Sequence, residues 1–385
     1  MIAQFERAPM ARLALLVLLL SQLAEVSFAA RRVTVDQLNQ VIASSQGKRD
    51  DKIAERLLGL ELAERLSETK LTAMQAAMPG PQSRQALRMV ADLAITQDPP
   101  PAEILSQPAP TLEEQRSIAA RGIDHANATI HRLPVLFVTR NSDHFEDTPT
   151  DLQTINTDSQ SGVFSFSKSL HLTGHLTENI TYRYGDVFVL TGLNERSVTA
   201  NESAGLSATG EFGSILSTVF TDLAKGKLEW GRWEQGASKA VAVFRFSVPR
   251  EASHYQLQFC CIDGEVVEKF TAYHGVIAIE PEEGAVLRLS VVTDPVKSDP
   301  IKKASLTVEY GVVELGTQKF TCPTRSIAIS IAPVQFNHQI VLPAIGSSVS
   351  RGNVVMVDRD NSASMTPQIM LNEVVYDHYS LIRPN

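Results

Sequence analysis

No stretch after residue 30 approaches the roughly 18 uninterrupted apolar residues that a membrane-crossing helix requires, so no transmembrane segment is expected past the first 30 positions. Positive charge is also short. Lys and Arg number 35 against 43 Asp and Glu, a net charge of -8, and no basic cluster interrupts that balance. Such a surface argues against nucleic acid and against docking on anionic lipid. Local catalytic signatures are absent: there is no Gly-Xaa-Ser-Xaa-Gly elbow, phosphate loop, dinucleotide fingerprint or His-Glu-Xaa-Xaa-His helix. No catalytic residue and no cofactor is therefore expected from motifs. Only three cysteines occur, and their spacing fits neither a metal site nor a redox pair. What remains is an ordinary globular composition, 43% hydrophobic and 20% charged, in a chain long enough for two or three domains.

The first 30 residues carry the clearest address. Arg7 and Arg12 flank the approach to an apolar run from Leu13 to Leu20, and Ser27-Phe28-Ala29 presents small residues where a signal peptidase reads. The expectation is a signal peptide over 1–29, cleavage after Ala29, and an exported protein, periplasmic or extracellular. No cysteine near that point could carry a lipid anchor.

From residue 30 to 132 the pattern is helical. Thr34-Val35-Asp36-Gln37 and Thr111-Leu112-Glu113-Glu114 have capping-box spacing. Ile53, Leu57, Leu60 and Leu66 form one stripe, Pro79-Gly80-Pro81 must end what precedes it, and Ser83 is placed to cap the next helix. Prolines between Asp98 and Pro110 form a stiff connection. From 133 to 385 the period changes to two. Ala242, Phe244, Phe246 and Val248 alternate with Val243, Arg245 and Ser247, and Tyr255, Leu257, Phe259 and Cys261 with His254, Gln256, Gln258 and Cys260. One apolar helix, Glu211 to Ala224, interrupts the strands; Ile369 to Leu381 closes them. The fold class expected is α+β: a helical domain, then a large antiparallel meander, curved or half-barrel, with a helix packed on it.

Several segments resemble a group of exported acidobacterial proteins of unknown activity. They are Thr34-Val35-Asp36-Gln37-Leu38, Leu60-Glu61-Leu62-Ala63-Glu64-Arg65-Leu66, His274-Gly275-Val276-Ile277-Ala278-Ile279, Glu309-Tyr310-Gly311 and Thr321-Cys322-Pro323. The hairpin from His274 to Val292 is similar in topology to those of lipoprotein-carrier-like half-barrels, whose concave face holds acyl chains. That likeness implies an apolar ligand or another envelope protein as partner.

Alternation puts Cys260 on the polar side of its strand and Cys261 on the dry side. If the later strand runs unbroken, Cys322 faces away from Ile327 and Ile329, so a Cys260–Cys322 disulfide is expected in an exported chain. His171 and His175 should lie on extended chain, about 13 Å apart, too far to share an ion. The run from Asp143 to Asp147 reads as an exposed acidic loop rather than a calcium loop. Trp230, Trp233, Tyr273 and His274 could line a ligand cavity. Two functional classes lead: a non-enzymatic envelope protein binding an apolar ligand or lipoprotein segment, or a structural and protein-interaction module with a helical arm; an exported hydrolase with a dispersed site comes third. A void of several hundred Å³ beneath the helix would favour the first, a filled core the second.

Overall fold

The computed structural model describes residues 31–147, 155–157, 164–166, 170–183, 186–191, 194–197, 205–206, 210–262, 265–296, 301–333 and 367–382. The expected leader and its cleavage point lie outside these residues.

The chain opens with β1 (Arg31–Val33), α1 (Val35–Ala43), α2 (Asp50–Leu58), β2 (Leu60–Leu62), α3 (Glu68–Ala76), α4 (Pro81–Leu93) and α5 (Leu112–Arg132). Both capping boxes form: Thr34 accepts from the Gln37 amide and Thr111 from the Glu114 amide, each with the reciprocal bond. Two local expectations are corrected. Leu60 does not continue the α2 stripe, because Gly59 ends the helix and Leu60–Leu62 pairs in parallel with Arg31–Val33. Ser83 does not cap α4, which starts two residues earlier at Pro81. Asp50 of α2 takes that place across space, accepting from the amides of Gln82 (3.0 Å) and Ser83 (3.1 Å).

After α5 come β3 (Leu136–Glu146), β4 (Ile155–Thr157), β5 (Phe164–Phe166), β6 (His171–Arg183), β7 (Asp186–Thr191), β8 (Asn194–Ser197), β9 (Gly205–Leu206) and α6 (Ser214–Asp222). Then follow β10 (Lys227–Gln235), β11 (Ala240–Val248), β12 (Gln256–Ile262), β13 (Glu265–Phe270), β14 (Ala272–Ile279), β15 (Val286–Asp294), β16 (Lys303–Leu315), β17 (Gln318–Pro333) and β18 (Pro367–Leu381). The fold is α+β. Eleven strands form one open antiparallel sheet in the order β10-β11-β14-β15-β16-β17-β18-β3-β6-β7-β8, while β13-β12-β9 form a separate small sheet. The Asp143–Asp147 run is not a loop: Asp143 to Glu146 lies in β3, paired on one side with β18 and on the other with β6.

Period-two alternation gives the large sheet two different faces. The inner face presents Phe244, Phe246, Tyr273, Ile277, Leu289 and Val308, and onto it α5 lays Ile118 and Ala126 while α6 lays Ile215, Leu216 and Val219. Burying each Val, Leu, Ile or Phe of this set fully stabilises by about 1.5 to 3 kcal/mol. The β14–β15 turn reaches α5, where Arg121 Nε donates to the Pro281 carbonyl at 2.9 Å. Gly284 in this turn has φ +77 and lies so close to the Arg121 backbone that a Cβ would stand 2.4 Å from its oxygen. The outer face is covered elsewhere by the helical arm, residues 31–98. Its Met89 and Ile95 pack with Phe145, Ile327, Ile329 and Leu371.

The expected Cys260–Cys322 bridge is not formed. Cys322 is a free, buried thiol among Leu136, Val138, Tyr182, Phe212 and Tyr376. Two structural reasons apply. Strand β17 is not unbroken: Tyr310 pairs with Pro323 but Glu309 with Arg325, so Thr324 is an extra residue that changes the alternation. Cys260 also belongs to the separate three-stranded sheet. The side chains of Cys260 and Cys261 lie outside the described residues.

Candidate functional site

At one end of the large sheet, β10 is an edge strand. Part of that edge is already covered by the chain itself: Ile104 bridges to Glu234, and the Leu105 amide donates to the Trp233 carbonyl at 3.1 Å. Trp233 Nε1 holds the same connection through the Pro108 carbonyl at 3.0 Å. Toward Lys227 the edge continues past these contacts, and here an open groove of about 270 Å³ crosses the outer face.

Cross-strand register builds the groove floor. Lys227, Ser247, His274 and Val292 form one row, and Glu229, Arg245, Val276 and Ser290 the next, each row running over four strands. Thr96, just beyond α4, contributes from the arm. The charges come in opposite pairs. Lys227 meets Glu229 at 2.6 Å, His274 Nδ1 meets Asp294 at 2.9 Å, and Arg245 faces Asp98 of the arm at 3.6 Å. All are solvent-accessible, so each pair contributes little to stability and can exchange partners.

Immediately beside the groove the arm is fixed by a buried ion cluster. Glu234 receives Arg65 of the arm at 2.7 Å, Arg288 at 3.0 Å and Arg232 at 2.7 Å, and Arg232 also reaches Asp98 at 2.7 Å. Burial pushes the Glu234 carboxyl up, but Arg288, Arg65 and Arg232 outweigh it and hold it at about 2. The opposite happens at Arg65, which burial and the nearby Arg288 lower to about 10.

The space beneath α6 is of another kind. A cavity of about 10 Å³ lies between Ala126, Phe212, Leu216, Val286, Tyr310 and Thr321. That is room for one water molecule. The buried Tyr310 hydroxyl has no hydrogen-bond partner among the described residues, and His125 Nε2 and Thr321 Oγ1 meet at 3.0 Å on the same wall. Around it the described inner-face side chains form one buried apolar cluster. Buried Glu211, just before α6, accepts from Ser326 at 3.2 Å. Burial first, and then the Glu211 carboxylate, raise Tyr310 and Tyr376 far above the usual phenol range.

Of the four aromatic and histidine candidates, three lie against the inner core and His274 lies on the other face. Trp230 and Trp233 stack edge to face at 5.0 Å, and Trp230 meets Phe244 at 5.4 Å, all against the inner core. Tyr273 is fully buried on that face, its hydroxyl donating to Asp222 at 2.8 Å. His274, the next residue, points to the opposite face and into the outer groove, because successive strand residues alternate. His171 and His175 lie on extended β6, where His175 pairs with Asp143 rather than with its neighbour histidine. Among the described residues no group of three or more His, Cys, Asp or Glu is placed to hold a metal, and no helix is long and apolar enough to cross a membrane. Asp222, Glu211 and the Glu234 cluster escaped sequence reading. Asp222 ends an apolar helix and Glu234 lies on a strand rich in charge, so neither stands out by pattern, and their partners are remote in the chain.

No protein-family model matches the chain, nor does any curated protein. Among solved structures it is similar to a LolA superfamily protein from Nitrosomonas europaea. The identity is 10%, the alignment covers 69% of this chain and 94% of that one, and the TM-score is 0.27.

Proposed function

We propose that the chain is a non-catalytic interaction module: a packed β scaffold that takes an extended polypeptide segment along the β10 edge and the outer groove. The observation that carries this reading is the distribution of space. About 10 Å³ beneath α6 admits no acyl chain, whereas about 270 Å³ lies open beside an edge strand. An edge strand recruits a partner strand through its backbone, and side chains flanking it select the partner. The chain's own Ile104 and Leu105 already dock at Trp233 and Glu234 in this manner. Lys227, Glu229, Arg245 and His274 suit a segment of mixed charge.

The test uses fluorescein-labelled octapeptides in which valine alternates with lysine and glutamate, read by anisotropy, alongside native mass spectrometry with palmitic acid. Saturable peptide binding that Lys227→Glu with Arg245→Glu abolishes, and no retained palmitate, is the expected result. A stoichiometric palmitate complex, or no binding by any peptide of the series, would overturn the reading.

A further inference from the structure

A second ion cluster joins the arm to the sheet, and it is short of positive charge. Arg325 of β17 meets Asp92 of α4, Glu373 of β18 at 2.7 Å, Glu68 of α3 at 3.4 Å and Glu309 of β16 at 4.0 Å. Arg88 of α4 reaches Glu373 at 2.8 Å and Glu68 at 3.5 Å. Two guanidinium groups thus face four carboxylates. Asp143 of β3, cross-strand from Glu373 and paired with His175 of β6, adds another acid at the margin. Asp92 is 1% exposed; one of its oxygens takes Arg325, while Oδ2 has no hydrogen-bond partner among the described residues. A charged carboxylate with a bare buried oxygen is costly, and a proton on that oxygen removes most of the cost.

We propose that this cluster is a proton-operated latch, gripping the helical arm onto the sheet when Asp92 is protonated and loosening it when Asp92 is charged. Burial, and next the repulsion of Glu373, raise the Asp92 carboxyl from 3.8 to about 7 against the pull of Arg325. A carboxyl raised in the docked state contributes its stabilisation fully below 3.8 and loses it as pH rises through about 7, after which the loss is complete. The Glu234 cluster does not interfere. Its carboxyl, held at about 2, stays charged across that whole range. Thr96 and Asp98 follow α4 directly, so the latch also sets the arm-side wall of the groove, whatever the groove binds.

Hydrogen–deuterium exchange of the full chain tests this, comparing peptides from Pro81–Leu93 with peptides from Val286–Asp294 as an internal standard. After correction for the intrinsic rate, opening of α4 is expected to rise at least tenfold between pH 5.0 and 7.5, within the limit of about tenfold per pH unit, and then to level off. Val286–Asp294 should show no such rise. Asp92→Asn should abolish the rise and leave the arm protected at both pH values. Glu373→Gln removes the repulsion and frees Arg88, so its rise should move to lower pH; this variant carries the test if Asp92→Asn fails to fold by circular dichroism. A wild-type chain without the rise, an unchanged rise in Asp92→Asn, or an unmoved rise in Glu373→Gln would each overturn the latch.

Discussion

At Cys322 the local environment decides the chemistry of a group that its sequence context leaves open. The thiol is fully buried in an apolar cluster, and burial raises it to about 12, so no thiolate forms near neutrality. Cys322 should resist iodoacetamide in the native protein and label only in denaturant, as peptide mapping would show; rapid native labelling would contradict the placement. Cys322→Ser should cost about 1 to 3 kcal/mol, because the hydroxyl finds no partner there. Two glycines make a sharper contrast. A Cβ on Gly275 would stand 1.9 Å from the Ser290 carbonyl oxygen and 2.7 Å from the Phe246 ring, with backbone on one side and core on the other. Gly316 has open space around it but φ +66. Gly275→Ala should therefore lose about 3 kcal/mol or fail to fold, and Gly316→Ala about 1 to 2 kcal/mol; urea denaturation of both variants ranks them. Equal losses would mean that the β14–β15 approach is looser than described.

Among the elements, α4 shows how a helix can borrow its start from another. It starts with Gly80 as the cap residue and Pro81 as its first helical residue, neither of which offers a capping side chain, and the Asp50 carboxylate of α2 supplies the acceptor. The hydroxyl of Ser83 also donates to Asp50, and these bonds lower its carboxyl below 3.8. A depressed carboxyl contributes stability above its ordinary pKa and loses it as pH falls through the lower value. Asp50→Ala should lower the melting temperature at pH 7 and should matter less at pH 2.5. A larger effect at pH 2.5 would reverse the sign and exclude a capping role. Strand β17 illustrates the converse. Its sequence reads as continuous alternation, yet Thr324 is extra, and the bulge carries Cys322 into the apolar cluster it shares with Phe212 and Tyr376.

For the whole molecule, the arm and the sheet are joined by two ion clusters with opposite responses to acid. Removing Glu234 strands Arg65, Arg288 and Arg232 without their shared carboxylate. Breaking a buried pair in this way typically costs about 3 to 5 kcal/mol, and Glu234→Gln should show that loss in urea at pH 7. The Glu234 contribution is full above 4.5 and disappears as pH falls through about 2, so wild type and variant should converge in strong acid. A constant difference down to pH 2 would mean that the side chain acts through packing alone. The arm docks on the outer face through Met89 and Ile95, and α5 and α6 pack on the inner one.

Much of the architecture follows from the order of residues alone. Capping boxes at Thr34 and Thr111, the apolar stripe of Ile215, Leu216 and Val219, and the change from helical to strand period all act within a few residues of one another, so the chain carries them in its own pattern. The α+β class and the inner-face set Phe244, Phe246 and Val248 were legible for that reason. Other features needed the third dimension. Adjacency of Tyr273 and His274 gave no hint of which face each would occupy until β11 and β15 fixed the register. The Asp143–Glu146 run looks like a loop because its charges are local, but it is a central strand because β18, arriving from more than 200 positions later, pairs with it. Arg325, Asp92, Glu373, Arg65 and Glu234 are scattered along the chain, and only packing of the arm against the sheet makes them partners. Long-range charge pairing has no period, so it leaves no trace in sequence; it is decided when burial removes the water that would otherwise screen each charge.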